Sequence, residues 1–206
     1  MSRSWASAAR CLVCLAVLLG LVAGLPGVRP CLAAQLEPGT ADPLSEEAPL
    51  EDRLDAISES ISPISAQVKL RRSVAHATFC LPQNVLGILW YGFLRVAGQV
   101  QQTREMNETT IVVIGGRAGA SLGRYLFIPG PYLTESAVRH EYGHTMQGYR
   151  HGPFYLLFEG LASFLQAGLS AVSPRFAAGY FERWPEDEAN VLGGVPQLPG
   201  SERSTP

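Results

Sequence analysis

Runs of β-branched and aromatic residues lie near the middle of the chain, and segments with helical spacing follow them. TTIVVIGG (109–116) and SLGRYLFI (121–128) predict two strands, either as a hairpin or as a strand and its edge neighbour. After them, Thr134 is placed to cap a helix that continues to about Gln147 and ends at Gly148. This order predicts an α+β fold in which a short β-sheet packs on that helix, with further helices supporting it.

Three other segments have the hydrophobic spacing of helices. One runs from about Pro153 to Gly168, and another starts at Pro185. The third, LPQNVLGILWYGFLRVAGQV (81–100), is strongly apolar but is interrupted by Gly87, Gly92 and Arg95, so it makes a poor membrane-spanning helix and a good buried or membrane-facing one. A peripheral membrane contact is therefore one expected use of this segment.

The N-terminal part of the chain has the composition of a targeting segment. Arginines precede an apolar run from Cys11 to Leu25, and small residues follow it, which predicts a secretory signal over residues 1–34. The alternative is an uncleaved signal anchor, although a run of about 15 apolar residues is short for a spanning helix that needs about 20. The chain is therefore expected to be exported, to the periplasm or the exterior, or to stay anchored to the membrane.

The remaining boundaries follow from composition. Residues 35–63 are acidic and rich in Pro and Ser, which predicts a linker with at most one short helix, near Leu50 to Ile61. A folded domain is expected over residues 64–196, followed by a disordered tail over residues 197–206.

Charge and cysteine content narrow the function classes. Without the three arginines of the leader, the chain has 13 basic and 18 acidic residues and a net charge of −5, which argues against nucleic acid as a partner. Three of the four cysteines also fall in the leader, so Cys80 alone remains and there is no intrachain disulfide framework. Cys80 is expected to be a small buried hydrophobic residue.

The stretch RHEYGHTMQGYRH (139–151) carries the candidate chemistry. Two residues four apart lie on one face of a helix, so His140 and His144 can reach one cation, with Glu141 beside its open coordination position. A catalytic zinc ion takes three protein ligands and a water whose pKa it lowers to about 7, and a neighbouring carboxylate accepts the proton. The pattern predicts a Zn²⁺ site with Glu141 as the general base.

Two glutamates compete for the third ligand position. Glu159 is a carboxylate in an otherwise apolar helix, where an unpaired buried charge is costly, and a helix hairpin brings it back to the level of His144. Glu186 stands in the first turn of the last predicted helix, and the residues that continue its face are small, which lets that helix approach the HExxH helix closely. The small residues are Ala189, Asn190 and Gly193. Composition alone favours Glu159.

Several segments together resemble a family of small bacterial HExxH proteins. Their pattern runs LPQN, SLG, HEYGHxxQ, LGPLYL, and ExxAD followed by LGG, and the likeness covers about residues 80–196. The matching stretches are LPQNVLG (81–87), SLGRYLFI (121–128), HEYGHTMQ (140–147), GPFYLLFEGLAS (152–163) and EDEANVLGGV (186–195). The resemblance implies a zincin-like domain.

The resemblance also bears on the third ligand. The ExxAD element looks like the third-ligand motif of CAAX-processing-type zinc proteases, which implies Glu186 as the ligand, with Asn190 in the place of an Asp that supports a ligand histidine. Glu159 falls where the relatives carry an apolar residue, although EGLASF resembles the third-ligand helix of Glu-type zinc peptidases. Both glutamates stay candidates, with Glu186 slightly ahead.

The predicted function is that of a zinc-dependent metallopeptidase of the bacterial envelope or exterior, acting on a peptide or protein. His151 and Tyr149 are candidates to stabilise an oxyanion, and strand 121–128 is a candidate edge for pairing with an extended substrate. The alternative is a non-catalytic exported module, for binding or envelope structure, that the metal merely stabilises.

Overall fold

The computed structural model describes residues 48–116 and 118–196 and has an α+β architecture. Within these residues it contains seven α-helices and a mixed four-stranded sheet. The α-helices are α1 Leu50–Ser60, α2 Ala66–Ala77, α3 Leu81–Val96, α4 Glu135–His151, α5 Leu161–Val172, α6 Pro174–Ala177 and α7 Glu186–Gly193. The strands are β1 Val100–Met106, β2 Thr109–Ile114, β3 Ala120–Leu122 and β4 Tyr125–Pro129. The predicted leader and tail lie outside the described residues.

The sheet has the strand order β1-β2-β4-β3. β1 and β2 form an antiparallel hairpin, β3 and β4 form another, and β2 pairs with β4 in parallel. The sequence 121–128, predicted as one strand, therefore divides into parts of β3 and β4, because Gly123 turns the chain with φ +64°. β1 was not predicted, because VQQTREM is an exposed edge strand with mostly polar residues and no apolar alternation.

Two apolar clusters cover the two faces of the sheet. Alternate residues of β2 point to opposite sides, so Ile111 and Val113 join one cluster while Val112 and Ile114 join the other. The first cluster also holds residues of α1 and α4, and the second holds residues of α3. The sheet thus packs on the HExxH helix α4, as predicted, and α3 covers its other face.

Helix α1 corrects the linker prediction for residues 50–61. The short helix is present, but Leu54 and Ile57 are buried in the first cluster, and Arg53 donates a hydrogen bond to the carbonyl of Leu133. Glu51, Asp52 and Glu59 are exposed, so the acidic composition hid the two buried apolar positions. The domain therefore begins before residue 64.

Helix α4 begins as predicted and ends later. The hydroxyl of Thr134 accepts a hydrogen bond from the amide of Ala137 at 3.1 Å. The helix passes through Gly148 and ends at Gly152, which has φ +56° and leaves no room for a side chain beside the ring of Phe79. Gly152 terminates the helix because it, and not Gly148, has a positive φ.

The chain after α4 is less regular than the single helix predicted over 153–168. A 3₁₀ turn Gly152–Phe154 leads into a π-helix Leu156–Gly160 and then α5. Helix α7 starts after Pro185 as predicted and ends at Gly194, with φ +68°. No single helix among the described residues is long and apolar enough to cross a membrane, but the bent pair Glu135–Phe154 and Leu156–Val172 reaches that length and composition together.

Candidate metal centre

Helix α4 presents His140 and His144 to helix α7, where both rings meet one carboxylate. Nε2 of His140 lies 3.1 Å from Oε2 of Glu186, and Nε2 of His144 lies 3.3 Å from the same oxygen. The three residues are at most 5% exposed, and their ligand atoms lie within 4.8 Å of one another. The prediction that the two histidines face one point is confirmed.

Glycine makes the approach of α7 to α4 close enough for this contact. A Cβ on Gly143 would lie 1.9 Å from the carbonyl oxygen of Ala189, and a Cβ on Gly193 would lie 1.8 Å from that of Arg139. Neither position can therefore carry a side chain without moving the helices apart. The prediction that small residues of α7 permit a close approach to the HExxH helix is confirmed.

Two amide side chains fix the orientation of the imidazole rings. Oδ1 of Asn190 lies 2.8 Å from Nδ1 of His140, and Oε1 of Gln147 lies 2.8 Å from Nδ1 of His144. The Gln147 amide is oriented by its own donor, which reaches the carbonyl of Pro185 at 2.8 Å, and Nδ2 of Asn190 donates to the carbonyl of Phe181 at 3.3 Å. Each Nδ1 therefore faces an acceptor and carries the proton.

This arrangement leaves the Nε2 lone pairs directed at Glu186. In neutral rings protonated on Nδ1, each Nε2 is an acceptor, and so is the carboxylate oxygen that it faces. Neither oxygen of Glu186 receives an aligned hydrogen bond from the described residues, although both are buried. Three acceptors that converge without a donor are stable only with a cation between them, either a proton or a metal ion.

In the metal-free protein, the cation between these acceptors is a second proton on His144. Burial alone would lower the pKa of His144, but the nearby Glu186 carboxylate raises that pKa to about 9. Burial acts on Glu186 in the opposite sense and is outweighed, because His144 and His140 hold its pKa well below the usual range. A metal ion must therefore compete with a proton on His144.

Two of the three distances among the ligand atoms match the spacing around a tetrahedral metal ion such as zinc. Two atoms about 2.05 Å from such an ion lie about 3.3 Å apart, close to the 3.1 and 3.3 Å that separate each Nε2 from Oε2 of Glu186. Two histidines and one glutamate are also a ligand set of catalytic zinc sites, which keep a fourth position for water. The residues present can hold a metal ion.

Glu141 lies buried next to this centre. It is 5% exposed, and its Oε2 has no hydrogen-bond partner in the described part of the chain. Gly119, just before β3, makes room for it, since a Cβ there would lie 2.7 Å from Oε1. Burial raises the pKa of Glu141, and His140 and His144 partly offset the rise. A carboxylate with a raised pKa and a free oxygen is suited to accept a proton.

The other residues singled out from the sequence make different contacts. Oε1 of Glu159 lies 3.1 Å from Nδ1 of His151, and Glu159 does not belong to the group formed by Glu186 and the two histidines. The hydroxyl of Tyr149 lies 2.7 Å from Nε2 of His76 and 3.1 Å from Oε1 of Glu108. The structure thus brings Glu186 to the histidines, and it gives both predicted oxyanion donors other partners.

Two residues at the centre were not predicted in their roles. Gln147 is part of HEYGHTMQ, but its contact with Nδ1 of His144 follows only from the helical i, i+3 spacing. Tyr155 lies with His144 and Thr145 around a cavity of about 10 Å³, which is space for one water molecule. Burial, reinforced by Glu141 and Glu186, raises the pKa of Tyr155 well above its usual value, so its hydroxyl stays protonated and can donate.

Comparison with protein-family models, with curated proteins and with solved structures gives no match to this chain.

Proposed function

We propose that the chain is a zinc-dependent hydrolase, and in particular a peptidase with a zincin-like arrangement of sheet and HExxH helix. One observation carries the proposal. With both rings neutral, three buried acceptors, on His140, His144 and Glu186, converge without a donor, beside a second buried carboxylate, Glu141, that has a free oxygen. A purely structural zinc site closes its fourth position with another ligand and has no use for such a base.

In this proposal the residues around the centre divide the work. Zinc bound there would polarise the scissile carbonyl and lower the pKa of a bound water. Glu141 accepts a proton from the attacking water and passes it to the leaving amine. Tyr155 donates a hydrogen bond to the carbonyl oxygen as negative charge develops on it, a role that the sequence had given to His151 and Tyr149.

The edge of the sheet favours an extended peptide as the substrate. β3 is the edge strand next to β4, and Gly119, just before it, leaves room beside it for Glu141. An extended peptide can pair with such an edge through its main chain, which places a scissile bond near the base without demanding a sequence. This narrows the predicted edge from residues 121–128 to residues 120–122, because β4 has strands on both sides.

The alternative is a non-catalytic exported module in which the metal stabilises the fold. The observation in its favour is that His151 and Tyr149 bond to Glu159, His76 and Glu108 instead of facing the metal ligands. In that case Glu141 would have no chemical task.

The two functions separate with one pair of variants. Glu141→Gln removes the base, and Glu135→Gln makes the same change near the start of α4, where Glu135 pairs with Arg139. Zinc content and cleavage of casein and of a peptide library are measured for both and for the wild type. The proposal predicts that all three bind zinc and that only Glu141→Gln loses activity, by at least about a hundredfold. Zinc without activity in all three supports the module.

A further inference from the structure

A large apolar surface lies on the outside of the two helical segments around the centre. We call it the apolar face, and it consists of exposed side chains spaced one turn apart on α3 and on the segment 154–172. On α3 these are Leu81, Val85, Ile88, Leu89, Phe93 and Val96; on the second segment they are Phe154, Leu157, Phe158, Leu161, Leu165, Leu169 and Val172. Soluble monomers expose such residues singly, and contiguous sets indicate an interaction surface.

The two stripes belong to one surface because their helices are neighbours. Leu156 packs into the same cluster as Leu86 and Leu94 of α3. Nε2 of Gln83 donates a hydrogen bond to the carbonyl of Gly152 at 3.1 Å, at the start of the second segment. Each helix thus turns its inner side to the domain and leaves its outer side uncovered by the described residues.

Helix α5 presents apolar side chains that the described part of the chain does not bury. None of its twelve residues is buried, and none is charged. In the preceding π-helix the one charged residue, Glu159, points inward and is 1% exposed. The polar residues Ser163, Gln166 and Ser170 are uncharged, and the apolar side chains Leu161, Leu165, Leu169 and Val172 recur one turn apart, as on a helix that lies against an apolar environment.

The charged residues of α2 and α3 have one sign. Residues 60–104, which include α2 and α3, contain no Asp or Glu and five basic residues. Arg72 and Arg104 pair with Glu108 and Asp55, whereas Lys69 and Arg71 extend from α2 as exposed side chains. Arg95 is exposed at the end of α3. This concentration of positive charge contrasts with the net charge of −2 of the whole chain.

We propose that the apolar face docks on the surface of a lipid bilayer that contains anionic lipids, with α3 and α5 lying in the interface. Apolar side chains enter the acyl boundary while Lys69, Arg71 and Arg95 stay at the level of the headgroups. A second copy of the chain fits less well, since a symmetric contact would bring these basic helices together. The sequence prediction of a membrane-facing 81–100 segment thus extends to a second segment, 154–172.

The depth of single side chains in the bilayer tests the proposal. Leu89→Cys and Leu165→Cys carry an environment-sensitive fluorophore, and Thr103→Cys, on the exposed edge strand β1, is the control. Cys11, Cys14 and Cys31 are changed to Ser, while Cys80 is 1% exposed and stays unlabelled. The full chain is mixed with vesicles of phosphatidylglycerol and phosphatidylcholine, or of phosphatidylcholine alone. Depth is the readout because residues 1–34 are apolar and could bind vesicles by themselves.

The expected result is a blue shift at positions 89 and 165 with anionic vesicles, quenching there by lipid-attached quenchers, and neither effect at 103. Changing Lys69 and Arg71 to Gln should weaken binding to the anionic vesicles. The lipid concentration that gives half of the maximal shift should rise by about fivefold for each residue changed. No shift at 89 and 165 while the chain pellets with vesicles overturns the proposal, because the leader alone then binds. A shift without vesicles that grows with protein concentration overturns it in favour of a second copy. Equal shifts on neutral and anionic vesicles overturn the role of charge.

Discussion

Helix α4 meets a buried carboxylate on each of two sides, and the two carboxylates have opposite surroundings. On one side Glu186 faces His140 and His144, four residues apart. On the other side Glu108 faces Tyr142 and Tyr149, seven residues apart on the same helix. Both carboxylates are at most 3% exposed.

The difference lies in the donors. Glu108 accepts hydrogen bonds from both tyrosine hydroxyls, at 3.2 and 3.1 Å, and forms an ion pair with Arg72 at 3.0 Å. Burial, reinforced by Glu108, raises the pKa of Tyr142 to about 12 and that of Tyr149 further, so both stay protonated donors. The neighbours of Glu186 are two Nε2 atoms of rings that carry their first proton on Nδ1, so a ring donates to Glu186 only when it binds a second proton. Glu108 is therefore complete within the protein, whereas Glu186 needs a cation from outside it.

The same substitution at both carboxylates gives the largest contrast. Glu186→Gln should reduce the zinc content from one ion per chain to near zero at micromolar zinc, because a ligand is lost, and should leave the folded state intact. Glu108→Gln should keep zinc binding and lower the free energy of unfolding by about 2–3 kcal/mol, because Arg72 and two hydroxyls lose a charged partner. Zinc analysis and urea unfolding check both. Equal zinc content in the two variants would refute the contrast.

The glycines between α4 and α7 should give the next largest effect. Gly143→Ala should separate the helices, because the new methyl collides with a backbone carbonyl. It should lower the free energy of unfolding by about 3 kcal/mol or more, and the variant should no longer bind zinc tightly. Gly92→Ala on α3 is the matched control. Nothing lies within 4 Å of its added Cβ, so it should stabilise the fold by about 0.5–1 kcal/mol. A neutral Gly143→Ala would contradict the close approach.

The amides that orient the rings should have a smaller effect on zinc affinity. Asn190→Ala should weaken zinc binding by about 10–100-fold without removing a ligand, because Nδ1 of His140 loses its acceptor. Asn190→Asp should restore or exceed the wild-type affinity, since a carboxylate accepts the same bond more strongly. Chelator competition measures both. If both variants bind as the wild type does, the amide does not orient the ring.

Zinc affinity should also rise with pH. The pKa of His144 is raised to about 9 in the metal-free protein, so zinc displaces a proton from it at neutral pH. The apparent affinity should increase about tenfold per pH unit from 7 to 9 and then level off. The stability of the metal-free fold should change in the opposite direction. Because the pKa of His144 is higher in the folded than in the unfolded chain, its protonation stabilises the fold fully below about pH 6.5, and this contribution is lost as the pH rises to about 9. An affinity independent of pH over this range would show that no proton is displaced.

The sequence was sufficient where the information is local. The facing of His140 and His144, the position of Glu141 and the cap at Thr134 all follow from helical spacing. The choice between Glu186 and Glu159 did not, because it depends on how closely α7 packs against α4, and that is decided by Gly143 and Gly193, which occupy different helices. Composition favoured Glu159 as a buried charge in need of a partner, but His151 meets that need.

Other differences have equally physical causes. β1 is an exposed edge strand, so its residues lack the apolar alternation that reveals a strand. Gly148 was predicted to end α4 because glycine is common after the last turn of a helix. The positive φ that ends the helix occurs four residues later, at Gly152. The buried side of α1 comprises few residues in an acidic segment, so its place in the core was hidden by averaging over residues 35–63.

The most direct test of the central claim is the X-ray absorption spectrum of the purified chain loaded with one equivalent of zinc. We expect two imidazole nitrogens and one or two oxygens at about 2.0–2.1 Å, with loss of this signal in Glu186→Gln and its retention in Glu159→Gln. A sulfur at about 2.3 Å, or a spectrum unchanged in Glu186→Gln, would contradict a site made of His140, His144 and Glu186.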